Sequence, residues 1–315
     1  MKESSHVPVL LEEALQALQV KENGIYVDAT YGRGGHARQI LERIGKLGQL
    51  HVFDRDAVAC DHARHRFGND SRVIVHQEPF SMLEQTLNKS GLTGRVHGIL
   101  FDLGVSSPQL DESKRGFSFQ ADGPLDMRMD PNSGESAADW IGHAEENEIA
   151  RVIRDFGEER FAKRIARAIV RERSINPITS TNRLAEIVAR AIPVREKRKN
   201  PATRTFQAIR IHINGELDEL AKVLPQTVHL LASGGRLVVI SFHSLEDRMV
   251  KRFLHAEAKG AALPPDLPVN RDYFRPKLRI IGKALRVRES EARDNPRARS
   301  AVLRIAERMD EKPDV

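Results

Sequence analysis

The sequence predicts an α/β protein: a doubly wound parallel sheet with a helical domain inserted into it. Three observations carry that prediction. Short β-rich apolar runs alternate with helical repeats over the first hundred residues. A glycine-rich loop, Gly32 to Gly35, follows the first of those runs. Roughly 130 residues then separate the fourth apolar run from the fifth, where an α/β crossover needs only a few tens.

The elements follow in order. "IYVDAT" (25–30) is a strand that ends at the glycine loop. "HARQILERIG" carries Ala37, Ile40, Leu41 and Ile44 at helical spacing. "LHVFDRD" (50–56) is a second strand, and "AVACDHARHRFG" a helix stopped by Gly68. "RVIVHQEPF" (72–80) is a third strand with Phe80 at its end, "MLEQTLNKSG" a helix, and "VHGILFDLG" (96–104) a fourth strand. The rhythm then breaks. Ile149, Val152, Ile153 and Phe156 fall at i, i+3, i+4, i+7, and Phe161, Ile165, Ala168 and Ile169 at i, i+4, i+7, i+8. "TSTNRLAEIVARAI" opens on capping residues and puts Leu184, Ile187, Val188 and Ile192 on one face. These patterns predict an inserted helical domain over 112–211, with 1–111 and 212–315 forming one discontinuous sheet domain. The insert leaves the carboxyl end of the sheet, where α/β proteins bind ligands. After it come the helix "ELDELAKVLPQTVHLLA", the strand "GGRLVVISF", the helix "SLEDRMVKRFLHA" and a proline-rich loop, "LPPDLPVNRDYFRP". "LRIIGKALRV" and "RSAVLRIAER" are read as completing strands, an antiparallel pair being one arrangement open to them.

The chain has 315 residues and a net charge of +6. Its distribution is more informative than its size. Residues 151–210 hold 16 Lys and Arg against 6 Asp and Glu, so the rest of the chain is net acidic. Such asymmetry points to a polyanionic partner, nucleic acid first. A single cysteine, Cys60, excludes a disulfide framework. No basic-then-apolar leader is present, and no run reaches the ~18 apolar residues of a membrane helix. The expectation is a cytoplasmic protein without membrane association.

The loop "YVDATYGRGGHA" (26–37) is the first chemical clue. Glycines after a first strand admit close backbone approach to a ligand and open a helix whose N-terminus favours negative charge. The spacing of Gly32, Gly34 and Gly35 is not the dinucleotide fingerprint, and Asp28 stands just ahead. A carboxylate there repels a pyrophosphate but suits a cationic amino-acid end. S-adenosylmethionine, a nucleoside with such an end, meets both demands. Asp54 on the second strand lies at the distance expected of a ribose-binding acid; Asp56 is the competing choice, nearer to a helix cap.

"ILFDLGVSSPQL" is the second clue. Three apolar residues, Ile99 to Phe101, lead to Asp102 at the carboxyl edge of the sheet, and Ser106, Ser107, Pro108 and Gln109 follow. In amino-group methyltransferases the equivalent loop offers acceptors to an exocyclic amine, whose lone pair is delocalised into the ring until it is steered out of it. Methylation of cytosine at ring carbon needs a cysteine nucleophile. Cys60 lies in a helix away from that edge and is read as core, which favours an amine or oxygen target.

These loops, with "HVPVLLEEAL", "RGFSFQADGPLDMRMDP", "GEERFAKRIARAIV", "NPATRTFQAIRI", "SFHSLEDRMVKRF" and "NPRARSAVLRIAER", closely resemble the bacterial 16S ribosomal RNA cytosine-N4 methyltransferase family (RsmH/MraW). The resemblance runs from His6 to about Arg308. It implies a Rossmann-like methyltransferase sheet, S-adenosylmethionine as donor, and one cytidine of the decoding region of 16S ribosomal RNA as substrate. It implies cofactor contacts at Gly34, Gly35, His36, Asp54, Phe80, Asp102 and Gln109. Catalysis would then rest on Asp102, Ser107 and Pro108. "SSPQ" departs from the S-P-P-aromatic pattern of DNA amino-methyltransferases by lacking the second proline and the stacking aromatic. Phe117 and Phe119 are candidates to hold the target base, and Trp140 is read as core. Lys163, Arg164, Arg167, Lys197, Arg198 and Lys199 are the candidate RNA contacts, within an assembled subunit rather than on free RNA. His243 either orients substrate or caps the following helix. No feature demands a metal, and a homodimer stays open. A nicotinamide oxidoreductase and a non-catalytic assembly factor are the competing functions.

Overall fold

A computed structural model describes residues 8–194, 200–260 and 275–310. The described chain divides into two compact units, 1–104 with 217–315, and 105–216.

The first unit opens with helix α1 (Leu11–Leu18) and strand β1 (Ile25–Asp28), then alternates: α2 (Gly35–Leu41), β2 (Gln49–Asp54), α3 (Ala57–Phe67), β3 (Val73–Gln77), α4 (Leu83–Lys89) and β4 (Val96–Asp102). The second holds a short α5 (Ser107–Asp111) and helices α6 (Ala137–His143), α7 (Glu146–Gly157), α8 (Ala162–Arg173), α9 (Thr181–Ala191) and α10 (Thr203–Asn214). The chain then returns to the sheet through α11 (Glu216–Leu230), β5 (Leu231–Ser241), α12 (Ser244–Lys259), β6 (Leu278–Ile280), β7 (Leu285–Arg286), α13 (Glu289–Asp294) and β8 (Val302–Arg308).

The sheet runs β3-β2-β1-β4-β5-β8-β6, with β7 also on β8. β1 to β5 are parallel; β8 is antiparallel to β5, β6 and β7. The strand order reverses between β1 and β4, which is the switch point where such sheets bind ligands. The central strands are buried on both faces and so read as unbroken apolar runs rather than alternating ones. Tyr26, Val52, Leu100, Val238 and Ile240 pack with α1, α2 and α3 on one face. Val27, Phe53, Ile99, Phe101 and Val239 pack with α4, α11 and α12 on the other.

Two sequence expectations need correcting here. The run 72–80 is not strand to its end. β3 stops at Gln77, and Pro79 turns the chain into a short 3-10 turn, Phe80–Met82, so Phe80 lies beyond the strand. "LRIIGKALRV" is not one strand but two, β6 and β7, divided where Gly282 adopts φ 64°. The proline-rich loop falls mostly outside the described residues.

In the helical unit the expected apolar stripes meet in one core. Ile149, Val152 and Ile153 of α7, Ile165 and Ile169 of α8, and Leu184, Ile187 and Val188 of α9 are buried together with Trp140. Each such side chain contributes about 1.5–3 kcal/mol by leaving water. Ser136 caps α6 and Ser180 caps α9 through their hydroxyls. The compact unit runs 105–216, and its polar framework reaches past residue 211. The buried Asn214 accepts from the Met129 N–H (2.8 Å) and donates to the carbonyls of Met127 (2.8 Å) and Arg210 (2.9 Å). Arg210 in turn pairs with Glu216. The segment that Asn214 holds is strained: Met127 is fully buried at φ 63°, a left-handed conformation rare for a side chain of that bulk. Arg115 braces the same segment, donating to the carbonyls of Arg128 and Met129.

Asn214→Ala should therefore leave a buried N–H and two carbonyls without their partner. We expect a loss of about 2–5 kcal/mol in stability, read as a fall in the denaturant midpoint. A loss under half a kilocalorie would show that the segment does not depend on this side chain.

Candidate active site

The carboxyl ends of β1, β2 and β4 assemble the site. Register fixes its geometry. Asp28 aligns with Val52 of β2 and with Leu100 of β4. Side chains alternate along a strand, so Asp54 and Asp102, each two residues on, emerge on the same face as Asp28. That face is the one covered by α2.

Asp28 is buried and accepts from the Thr30 N–H at 3.2 Å. Desolvation pushes its pKa up to about 7. Asp54 accepts from the Gly32 N–H and the Asp56 N–H, each at 2.9 Å, which locks its carboxylate onto the glycine loop; burial still raises its pKa to about 6. Asp102 is raised well above the usual carboxylate range, by burial first and then by the charges of Asp28 and Glu246. Its Oδ1 is shut from solvent and has no hydrogen-bond partner. Among the described residues, none of the three is ion-paired to a Lys or Arg. The His36 ring stands beside one of them, with Nδ1 3.7 Å from Asp102 Oδ2. Burial lowers the pKa of His36 to about 4, so it stands there as a neutral imidazole. Three desolvated acids without a cation form an acceptor set that fits a positively charged ligand and penalises a pyrophosphate.

The glycine loop has a second explanation beside ligand approach. Gly32 (φ 55°) and Gly34 (φ 67°) are left-handed. A Cβ on Gly34 would meet the Tyr31 ring at 2.4 Å, and one on Gly35 would meet Pro8 at 2.1 Å. Tyr31 is itself fixed, its hydroxyl 2.9 Å from His62 Nδ1. The loop thus owes part of its composition to neighbours in the fold. Asp56 caps α3, accepting from the Val58 N–H at 3.1 Å, which leaves Asp54 as the acid at the loop. Phe80 is half-buried and meets Phe101 edge-on at 5.7 Å. Phe101 precedes Asp102, so this ring pair stands next to the acid, on the sheet face opposite the three carboxyls.

The chain matches the MraW methylase family over residues 3–309. It belongs to that family. It is 57% identical over 306 residues to the ribosomal RNA small subunit methyltransferase H of Thioalkalivibrio sulfidiphilus, covering 97% of this chain and 98% of that one. It is 56% identical over 310 residues to the protein of the same name from Thiobacillus denitrificans, covering 98% and 99%.

The remaining candidates in this methylase are placed as follows. Ser107 and Pro108 form the first turn of α5 and are half-buried. Gln109 is buried and closes that turn, its Oε1 accepting from the Ser106 N–H at 3.0 Å. Phe117 is buried beneath the Arg115 guanidinium, 5.9 Å from the ring centre. Phe119 packs edge-on against Phe206 at 4.9 Å. Both rings take part in packing, Phe119 remaining half-buried. Trp140 is core, as expected, its indole N–H donating to Glu148. Lys163, Arg164 and Arg167 are exposed on the outer face of α8, Arg167 with Glu146 at 3.7 Å. Lys197, Arg198 and Lys199 lie outside the described residues. Of the two roles open to His243, the structure shows the cap: its Nδ1 accepts from the Glu246 N–H, and Glu246 reaches back to the Phe242 N–H. Cys60 is buried and its thiol is pushed up to about 12 by desolvation, consistent with core. Among the described residues, no helix is long and apolar enough to cross a membrane.

Two residues at this edge escape the sequence patterns. Thr30 donates its N–H to Asp28 and accepts from the Asp102 N–H. Glu246 is buried and acts on Asp102 through its charge. The H-x-x-E spacing of a capping box was the available signal for Glu246. Thr30 had only its place immediately beyond a strand end.

The raised pKa of Asp28 gives a signed stability prediction. Its value moves from 3.8 to about 7 on folding. The folded state therefore holds a proton that the unfolded chain releases. This contribution is fully present below pH ~4 and is lost as pH rises through ~7. In the absence of any ligand, thermal unfolding should show the wild type losing stability between pH 5 and pH 7.5, with a shallower slope for Asp28→Asn. Equal slopes would contradict the assignment.

Proposed function

We propose that this methylase transfers a methyl group from S-adenosylmethionine to the exocyclic N4 amine of one cytidine in the decoding region of 16S ribosomal RNA, acting in the cytoplasm on an assembled small subunit. The observation that carries the proposal is the set of three desolvated carboxyls at the switch-point edge, unpaired to any Lys or Arg among the described residues. S-adenosylmethionine supplies an electrophilic methyl on a sulfonium, together with an ammonium and a ribose. Asp28 suits the ammonium, with Gly34, Gly35 and His36 beside it. Asp54, already oriented by two backbone donors, has lone pairs left for ribose hydroxyls. Phe80 offers an apolar surface to the adenine.

The acceptor amine is a poor nucleophile because its lone pair is delocalised into the pyrimidine. Asp102 answers that problem. Its unpartnered Oδ1 is an acceptor for an amine N–H, which favours tetrahedral nitrogen as the bond to carbon forms. No covalent enzyme intermediate is required, and Cys60, buried with its thiol protonated, is unsuited to forming one. Lys163, Arg164 and Arg167 supply exposed cations for phosphates, and the helical unit is assigned to RNA recognition. The names of the relatives, which specify small-subunit ribosomal RNA, support the same substrate. A dinucleotide oxidoreductase is disfavoured because Asp28 stands where a pyrophosphate would lie.

Transfer of a labelled methyl group to small ribosomal particles, followed by mapping of the modified nucleotide, tests the proposal. Asp102→Ala should lower kcat by about 10²–10³-fold, the cost usual for a lost transition-state acceptor or donor. Unchanged incorporation in the variant would remove Asp102 from the mechanism. Donor affinity should also rise with pH through about 6 to 7, as Asp54 and Asp28 give up protons to admit a cation. Calorimetric titration at pH 5.5 and 7.5 would show it, and tighter binding at the lower pH would contradict it.

A further inference from the structure

We propose that Thr30 is a positioning residue for methyl transfer, setting the place of Asp102 by bridging the switch point of the sheet. The inference rests on the methyl-transfer reading of this site and extends it to a residue with no role so far.

The strands on either side of the switch point part company at Thr30. The Ala29 N–H still donates to Leu100 of β4 (2.9 Å), while the Tyr31 N–H donates to Phe53 of β2 (2.9 Å). Between these two bonds the chain passes from one neighbouring strand to the other. The β1–β4 ladder therefore ends at Leu100, two residues before Asp102, and the Asp102 amide is met by a side chain instead of a β1 carbonyl. The Thr30 hydroxyl takes that place, accepting from the Asp102 N–H at 2.6 Å. A side chain continues the ladder by one bond after the backbone has turned away.

The same residue also touches the donor side. The Thr30 N–H donates to Asp28 Oδ1 at 3.2 Å. One residue thus orients the acid assigned to the donor's ammonium and fixes the backbone of the acid assigned to the acceptor amine. The requirement is chemical and specific: an acceptor oxygen at the γ position. Serine keeps it and valine, of nearly the same shape as threonine, lacks it. Valine would leave the Asp102 amide without its partner on the β1 side, with β5 alone holding this stretch through the Leu103 N–H and the Ile240 carbonyl (3.0 Å). In-line transfer tolerates a shift of Asp102 poorly, since about 1 Å of misplacement costs on the order of 10²-fold in rate.

Two measurements on the full chain test this. In methyl transfer to small ribosomal particles, Thr30→Val should lower kcat by about 10- to 100-fold, with the Kd for S-adenosylmethionine within about threefold of wild type. Thr30→Ser should stay within about threefold in both. Amide hydrogen exchange over residues 99–104, which needs no activity, should show protection lost in Thr30→Val and kept in Thr30→Ser. Unchanged exchange in Thr30→Val, or an unchanged kcat in an otherwise active preparation, overturns the proposal. So does a kcat loss shared equally by the serine variant. An inactive wild type would overturn the methyl-transfer reading instead, and the exchange result would still decide whether Thr30 holds Asp102.

Discussion

The interaction on which this site depends is the parallel register of β1 with its two neighbours. Asp28 is paired at once with a β2 residue and a β4 residue of one core face. That alignment obliges Asp54 and Asp102 to emerge beside it. Slipping either neighbour by one residue would send its acid to the opposite face, so the cluster is a product of registry as much as of composition. The apolar residues between the acids make the register costly to change. Val52 and Leu100 are each buried, and a slip would exchange them with Phe53 and Phe101 of the other face.

Burying carboxyl groups together works against the fold and in favour of a ligand. Each acid is held away from its preferred charge state, and none is ion-paired to a Lys or Arg within the described chain. A bound cation removes that conflict, which links ligand affinity, proton release and stability through the same three residues. The neutral state of His36 belongs to the same balance, because a protonated ring beside Asp102 would supply the positive charge that the three acids lack.

Much of this was legible in the sequence, and the gaps have physical causes. Apolar runs buried on both faces identify β1, β2, β4 and β5, and i, i+3, i+4 spacing identifies α7, α8 and α9. Asp28, Asp54 and Asp102 could be named because each closes a strand pattern at the carboxyl edge. Phe80 was displaced because Pro79 turns the chain early, and β6 and β7 were merged because a single glycine between apolar residues can equally be a bulge. Phe117 and Phe119 pack on Arg115 and Phe206, and an aromatic beside a motif has no sequence pattern that separates such packing from stacking on a base. Thr30 was invisible for a different reason. Its partner is 72 residues away, and only the point where two ladders diverge gives it a task.

The division of the chain into a contiguous helical unit and a split sheet unit bears on how the protein is made. Residues 105–216 can close their core while residues 217–315 are still untranslated. The sheet cannot: β5 lies between β4 and β8, and both β5 and β8 follow the whole helical unit in sequence. The strands that carry Asp28, Asp54 and Asp102 must therefore wait, with one side of their sheet unmade, until β5 and β8 have been made. Loss of β8 should then disturb the sheet unit first and spare the helical one.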